Sequence, residues 1–289
     1  MLLERRVLGR TNLEVSVFGF GGFLLNGTSA AEASEIVAEA VERGINYFDV
    51  APSYGNSESR LGPALEEHRD RVVLACKTQK RTREEAAAEL RSSLATLRAD
   101  HFDVYQLHAL DNPDEIKVAL GPGGALEAIL EARDQGLVRY IGFSAHHQQS
   151  ALALMERFDF DTVLFPVNWV YWLKGNAGRA VVHGAAAHNR GVIAMKALAH
   201  RKWRKEEEST CPNCWYRPLD SDPELASMAL RFALSQPVHV AVSPADAGML
   251  RLGIDLLDRY KPITDDEVEA LQRRAQLLEP IFSTSTDDH

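Results

Sequence analysis

Apolar positions along this chain follow two alternating rhythms. Short apolar runs fit buried strands, and the stretches between them place apolar residues at helical spacing. The strand-like runs fall at 17–21, 46–50, 72–77, 102–108, 138–143, 162–167, 191–197 and 238–242. The helical patterns fall at 30–43, 58–67, 83–98, 124–135, 148–158, 179–188, 223–236 and 247–258. In 83–98, for example, Ala87, Leu90, Leu94 and Leu97 share one face. Eight such units predict parallel strands with right-handed crossovers, closed into a (β/α)8 TIM barrel; a doubly wound sheet usually stops at five or six strands. A Gly-Arg-Thr-Asn turn within 6–15 reads as a hairpin ahead of the barrel. Thr264 followed by acidic residues predicts an N-cap and a tail helix over 264–278. One stretch breaks the rhythm, 199–222, and a long loop after a barrel strand is expected to lie over the mouth. The whole chain, 1–289, reads as one domain.

Composition narrows this little. The chain is 45% hydrophobic and 25% charged, with a net charge of −9, which disfavours a free-standing nucleic-acid binder. The N-terminus lacks the apolar core of a signal peptide and no run is long enough to span a membrane, so a soluble, cytoplasmic protein is expected. Gly19-Phe20-Gly21-Gly22 and Gly121-Pro122-Gly123-Gly124 both lack the third glycine of the dinucleotide-binding fingerprint. Cys76, Cys211 and Cys214 do not make a disulfide framework. Cys211 and Cys214 leave three readings open: half a metal site, a redox pair or plain loop residues. Two ligands are not four, so no metal is expected.

Candidate chemistry sits at the strand ends. Asp49, Lys77 and His108 each follow an apolar run, and Tyr54 lies in a Pro/Ser/Gly turn five residues after Asp49. In a parallel barrel all strand C-termini open on one mouth, so these groups are expected to meet. Tyrosine, with a pKa of about 10, is a poor acid unless a cation stabilises its phenolate. Lys77 is placed to be that cation, Asp49 to keep it charged, and His108 to orient a carbonyl oxygen. No activated nucleophile accompanies them. The set is suited to protonating an oxygen while a nicotinamide supplies hydride.

The full chain resembles the aldo-keto reductases, which are (β/α)8 barrels. The likeness rests on Gly44-Ile45-Asn46-Tyr47-Phe48-Asp49-Val50-Ala51-Pro52-Ser53-Tyr54-Gly55, on Cys76-Lys77-Thr78, on Asp103-Val104-Tyr105-Gln106-Leu107-His108, and on Gly136-Leu137-Val138-Arg139-Tyr140-Ile141-Gly142-Phe143-Ser144. The resemblance implies that Tyr54 is the general acid/base, tuned by Lys77 and Asp49, with His108 placing the carbonyl. The retained histidine favours an aldehyde or ketone substrate over a conjugated double bond.

On the cofactor side the resemblance implies Gly21, Gly22, Asp49, Ser144, Asn168, Met195, Lys196, Leu198, Ser243, Ala245, Gly248 and Arg251. Here the chain departs from the family. Ala145 replaces the asparagine that partners Ser144 on the nicotinamide amide; the sixth strand offers Asn168 in place of a glutamine. Met195 replaces the stacking aromatic residue, and Lys196 follows within reach of a pyrophosphate. Arg251 is the only nearby cation for a 2′-phosphate, and Asp246 opposes it. NADP(H) is favoured slightly over NAD(H) on family habit.

Trp169, Tyr171 and Trp172, in the loop after the sixth strand, are expected to wall the substrate pocket with Phe23, Trp215 and Tyr216. The charge run 201–208 reads as a solvated loop, His146 and His147 as helix-start surface residues, and Asp287-Asp288 as a functionless tail. Two rivals to carbonyl reduction stay open: a Schiff-base aldolase on Lys77 or Lys196, and a regulatory protein that senses cofactor without turnover.

Overall fold

The computed structural model describes residues 3–258 and 260–282; Asp287 and Asp288 lie outside them. The chain opens with an antiparallel hairpin, β1 (Arg5–Val7) and β2 (Glu14–Ser16). Seven barrel strands follow: β3 (Phe18–Gly21), β4 (Tyr47–Asp49), β5 (Val73–Thr78), β6 (Phe102–Leu107), β7 (Val138–Ser144), β8 (Thr162–Pro166) and β9 (Gly191–Met195). A second hairpin, β10 (Ala199–Lys202) with β11 (Tyr216–Pro218), precedes the last barrel strand, β12 (Val240–Val242). Pairing runs parallel from β3 to β9, and β12 closes the ring between β9 and β3. The (β/α)8 barrel expected from the alternation is therefore present, with the hairpin in front of it.

The helices are α1 (Ala30–Glu42), α2 (Ser57–Leu65), α3 (Arg83–Leu97), α4 (Pro113–Leu120), α5 (Ala125–Asp134), α6 (Gln148–Arg157), α7 (Trp169–Leu173), α8 (Arg179–Ala187), α9 (Pro223–Leu234), α10 (Ala247–Leu257) and α11 (Asp265–Ala275). Thr264 caps α11 in a reciprocal box with Glu267, as its sequence predicts. Two helices were not foreseen. Asn112 accepts from Asp114 and Glu115 backbone N–H groups and starts α4 with Pro113 in the first turn. Asn168 does the same for α7 through Val170 and Tyr171. Both signals were legible as cap residues, yet a five-residue helix gives no periodicity to read.

Strand alternation sorts each side chain to one of two places. Tyr47, Val73, Ala75, Val104, Leu164, Ile193 and Val240 face inward and fill the barrel together with Leu8, Leu13 and Val15 from the hairpin region. The hairpin thus plugs the end opposite the strand C-termini. Phe18, Phe20, Phe48 and Tyr105 belong to the other, larger cluster beneath the helices. Continuing the inward parity toward the strand C-termini reaches Asp49, Lys77, Gln106 and Ser144, so the polar layer lies one step above an apolar one.

No helix among the described residues is long and apolar enough to cross a membrane.

Candidate active site

At the mouth, Asp49 and Lys77 form a buried ion pair. Their strands are neighbours in register, with Asp49 beside Ala75 and Lys77 two residues farther along β5. Lys77 Nζ also donates to Val50 O at 3.3 Å. Burial alone works against both charges; each partner opposes that for the other. For Lys77 burial pulls downward, but the charge and hydrogen bond of Asp49, together with Tyr54, outweigh it, and the ammonium stays above the ordinary lysine pKa. Lys77 is therefore a fixed cation rather than a nucleophile.

Lys77 Nζ stands 5.2 Å from the centre of the Tyr54 ring. Tyr54 is also packed by Phe23 at 5.0 Å and, edge to face, by His108 at 5.7 Å. Burial raises the Tyr54 pKa, and Lys77 pulls it back in part. The phenol is thus protonated through the neutral range. His108 has the opposite shift: burial, then the charge of Lys77, hold it well below the usual histidine value, so its ring is neutral. Ser53 Oγ lies 3.5 Å from His108 Nδ1, at the outer limit of a hydrogen bond. Thr78 O accepts from the His108 backbone N–H, and Arg81 donates to His108 O, fixing the backbone at the end of β6.

Asp49, Tyr54 and His108 line a cavity of about 250 Å³. Its opposite wall comes from Leu164, Met195, Lys196, Val242, Ser243 and Ala245 at the ends of β8, β9 and β12. Gly21 joins the two sides: its N–H donates to Ser243 Oγ at 3.0 Å, and a Cβ there would stand 2.4 Å from Ser243 O. Only glycine lets β3 and the β12 end approach this closely.

Over the mouth lies the 199–222 stretch, an ordered flap rather than a simple solvated loop. Arg201 and Arg217 converge on Glu207, whose carboxyl is held at a pKa of about 2, first by the Arg201 hydrogen bond and then by the Arg204 backbone N–H. Cys211 and Cys214 are joined by a disulfide, which settles their pairing, and no metal-ligand cluster occurs among the described residues. Between them, Asn213 exchanges two hydrogen bonds of 3.0 Å with Asn26, which Gly55 approaches from the Tyr54 turn. Asn213, Trp215 and Tyr216 face the cavity, with Trp215 half-exposed.

The sequence-predicted residues divide cleanly. Phe23, Trp215, Gly21, Met195, Lys196, Ser243 and Ala245 share the cavity wall with the catalytic candidates, and Lys77 stands behind Tyr54. Trp169 and Trp172 are corrected: both are buried in α7, away from the wall. Trp169 Nε1 donates to Ala199 O, and Trp172 packs on Phe232. Helix α7 turns these rings into the core because Asn168 starts a helix where a loop was expected. Asn168 is itself fully engaged: its oxygen caps α7, and its Nδ2 donates to Lys196 O and Ala199 O. It has no group left for a nicotinamide amide.

Ser144 Oγ accepts from Ala109 N, and Leu198 is buried off the wall. Gly22 backs onto Asp49 O, and Gly248 lies in the first turn of α10, capped by Asp246. Arg251 is ion-paired with Glu39 of α1 at 2.7 Å, and both side chains are partly exposed.

Two participants escaped the sequence reading. Gln106 is fully buried; its Nε2 donates to Asp49 Oδ2 at 3.4 Å, and its Oε1 has no partner among the described residues. Its signal was a lone amide inside an apolar strand, two residues before His108 and so on the same face. His146 was read as surface, yet it lines the cavity, held by Asp111 through Nδ1 at 2.8 Å.

The family model of the aldo/keto reductase family matches residues 17–272. The uncharacterized oxidoreductase YqkF of Bacillus subtilis is 26% identical, covering 93% of this chain and 96% of its own. L-galactose dehydrogenase of Arabidopsis thaliana is 30% identical over 49% of this chain and 48% of its own. The holo form of aldo-keto reductase AKR11C1 from Bacillus halodurans has the same fold, with a TM-score of 0.73 at 22% identity over 94% of this chain and 96% of that one. With its motifs at the mouth of the matched barrel, the chain belongs to the aldo/keto reductase family and is an oxidoreductase of that family.

Proposed function

We propose that this chain, as one domain over 1–289, reduces an aldehyde or ketone to an alcohol at the expense of a reduced nicotinamide cofactor, with Tyr54 as proton donor. One observation carries the reading: a protonated, cavity-lining phenol stands over a lysine that is locked in its charged form. That is the electrostatic arrangement a proton donor needs, since the phenolate left behind is stabilised by a cation already in place.

The residues present fit a nicotinamide. The apolar residues Leu164, Met195 and Val242 share with Tyr54 and His108 a cavity of about 250 Å³. Met195 is the group to cover the ring, with Gly21, Ser243 and Ala245 along the side. When bound, the reduced cofactor supplies hydride to the carbonyl carbon. The chain's own part is to place and protonate the oxygen. In the tautomer with its proton on Nε2, neutral His108 presents a donor to the carbonyl oxygen, with Nδ1 toward the Ser53 hydroxyl. Tyr54 Oη gives up its proton to that oxygen. Lys77 then faces a phenolate, while Asp49, steadied by Gln106, holds the ammonium in position.

NADP(H) over NAD(H) is the expectation carried from the resemblance. Arg251, the one basic candidate for the 2′-phosphate, is paired with Glu39 in a partly exposed ion pair that a phosphate would have to displace. The reading is tested by titrating NADPH and NADH by fluorescence, then following loss of reduced-cofactor absorbance over a panel of aldehydes and ketones. Turnover supports it. Tight cofactor binding with no turnover on any carbonyl transfers the assignment to the regulatory reading.

A Schiff base at Lys77 is opposed by its ion pair with Asp49. At Lys196 it keeps one observation, a pKa lowered to about 8 by burial and by Lys77. Borohydride treatment with a carbonyl compound that leaves no adduct on Lys196 removes it.

A further inference from the structure

The cavity wall carries one lysine, Lys196, and one carboxylate, Asp49. Asp49 is committed to Lys77. The next carboxylate behind the wall, Asp111, is committed to His146 and to the backbone N–H groups of His146 and His147. Lys196 Nζ has no ion pair or hydrogen bond among the described residues. It rests instead between two flap rings, 4.8 Å from the centre of Tyr216 and 5.5 Å from that of Trp215. Lys196 is partly buried, and two ring faces give its ammonium about 0.5–2 kcal/mol each without neutralising its charge. The site is therefore short of one anion.

The backbone supports this as a built feature. Lys196 has a φ of +65°, a left-handed conformation that costs a non-glycine residue about 1–3 kcal/mol. It is pinned there, its carbonyl accepting from Asn168 Nδ2 at 3.1 Å and from Ala199 N at 3.0 Å. Asn168, fully buried and fully engaged, thus serves to hold Lys196 at the end of β9.

Two anions are conceivable in this cavity: a carboxylate on the carbonyl substrate, or the cofactor's pyrophosphate. Position favours the first. Lys196 lines the same cavity as Asp49, Tyr54 and His108, so this lysine stands at the reacting end. The side where Ser243 and Ala245 lead into the first turn of α10 remains for phosphate.

Building on carbonyl reduction as proposed above, we infer that Lys196 is a specificity-determining residue that binds a carboxylate of the substrate, so that the preferred substrates are carbonyl compounds carrying an acid group. Trp215 and Tyr216 then provide the apolar walls for the carbon skeleton between carbonyl and carboxylate, and the Cys211–Cys214 disulfide closes the turn that leads into them.

The test compares 4-carboxybenzaldehyde with its methyl ester, a pair that differs by one charge at a fixed distance from the aldehyde. In the native enzyme with NADPH or NADH, kcat/KM for the acid is expected to exceed that for the ester by about tenfold or more, the size of one desolvated charge contact. Lys196→Met should collapse that ratio to about one, mostly through KM for the acid, whereas Lys196→Arg should retain most of it. A ratio unchanged in Lys196→Met overturns the inference. So does an equal loss on both aldehydes with a raised Kd for the cofactor, which gives Lys196 to the pyrophosphate.

Failure of the native protein to reduce either aldehyde defeats the carbonyl-reductase reading, and the anion site is then judged separately. Titration of tryptophan fluorescence with 4-(hydroxymethyl)benzoate in the presence of NADP should give a saturable response that Lys196→Met abolishes. No response in the native protein overturns the site.

Discussion

The two sides of the cavity are built differently. On the β4–β6 side, Asp49, Tyr54, Lys77 and His108 are tied into one another by an ion pair and ring contacts. On the β7–β9 and β12 side, the polar groups expected to grip a cofactor already make contacts within the protein itself. Ser144 holds Ala109, Asn168 holds α7 and the Lys196 turn, and Arg251 holds Glu39. What remains facing the cavity there is largely apolar or cationic: Met195, Val242 and Lys196. Proton handling depends on a few atoms at fixed spacing and tolerates little change. Holding a flat ring can be done by packing, so that side is free to use its amides for structure.

The sharpest break of this comparison is Tyr54→Phe. Carbonyl reduction should fall about 10²–10⁴-fold while the Kd for NADPH stays nearly constant, because only the proton donor is lost. Activity within tenfold of the native rate would remove Tyr54 from the acid role. The same residue sets a pH profile. Its pKa is raised above the ordinary tyrosine value of 10.0, so the donor form is full at neutral pH. The rate of reduction should therefore stay level through neutral pH and decline only above about 10, whereas alcohol oxidation, which needs the phenolate, should rise with pH. A decline centred near pH 7 would point to another group.

Next in size is Lys77→Met. It leaves Asp49 buried and unpaired, and unfolding by denaturant should show a loss of about 3–5 kcal/mol besides lost turnover. Unchanged stability would mean that the ion pair contributes no more than the water it displaced.

On the other side, Asn168→Ala should cost about 1–3 kcal/mol of stability, through the lost cap of α7 and the lost hydrogen bonds to Lys196 O and Ala199 O. Weaker cofactor binding with stability intact would return Asn168 to the nicotinamide and erase the contrast. The smallest effect belongs to Arg251→Ala. Its partly exposed pair with Glu39 is worth about 0–1 kcal/mol, and the Kd values for NADPH and NADH should shift together by less than about twofold. A selective loss of NADPH affinity would show that Arg251 leaves Glu39 for the 2′-phosphate.

Much of this was legible before any coordinates. Eight alternations of strand and helix spacing specify a closed parallel barrel, because every crossover must be right-handed and eight strands complete the ring. The closed ring brings Asp49, Lys77 and His108 to one mouth, since alternation gives them one inward face. Gln106 shares that face and was readable by the same rule.

Tertiary structure alone decided which polar groups were still free. Asn168, Ser144 and Arg251 are residue types that bind ligands well, and even where Asn168 reads as a cap, local sequence does not say where its amide nitrogen is spent. Their partners, Ala199, Ala109 and Glu39, lie 31, 35 and 212 residues away in the chain. Trp169 and Trp172 went into the core for a similar reason: a five-residue helix sets their direction, and it is too short to leave a period in the sequence. Residue type and spacing determined the barrel and its proton-donating set; long-range hydrogen bonds, unreadable from spacing, determined what was left over to bind.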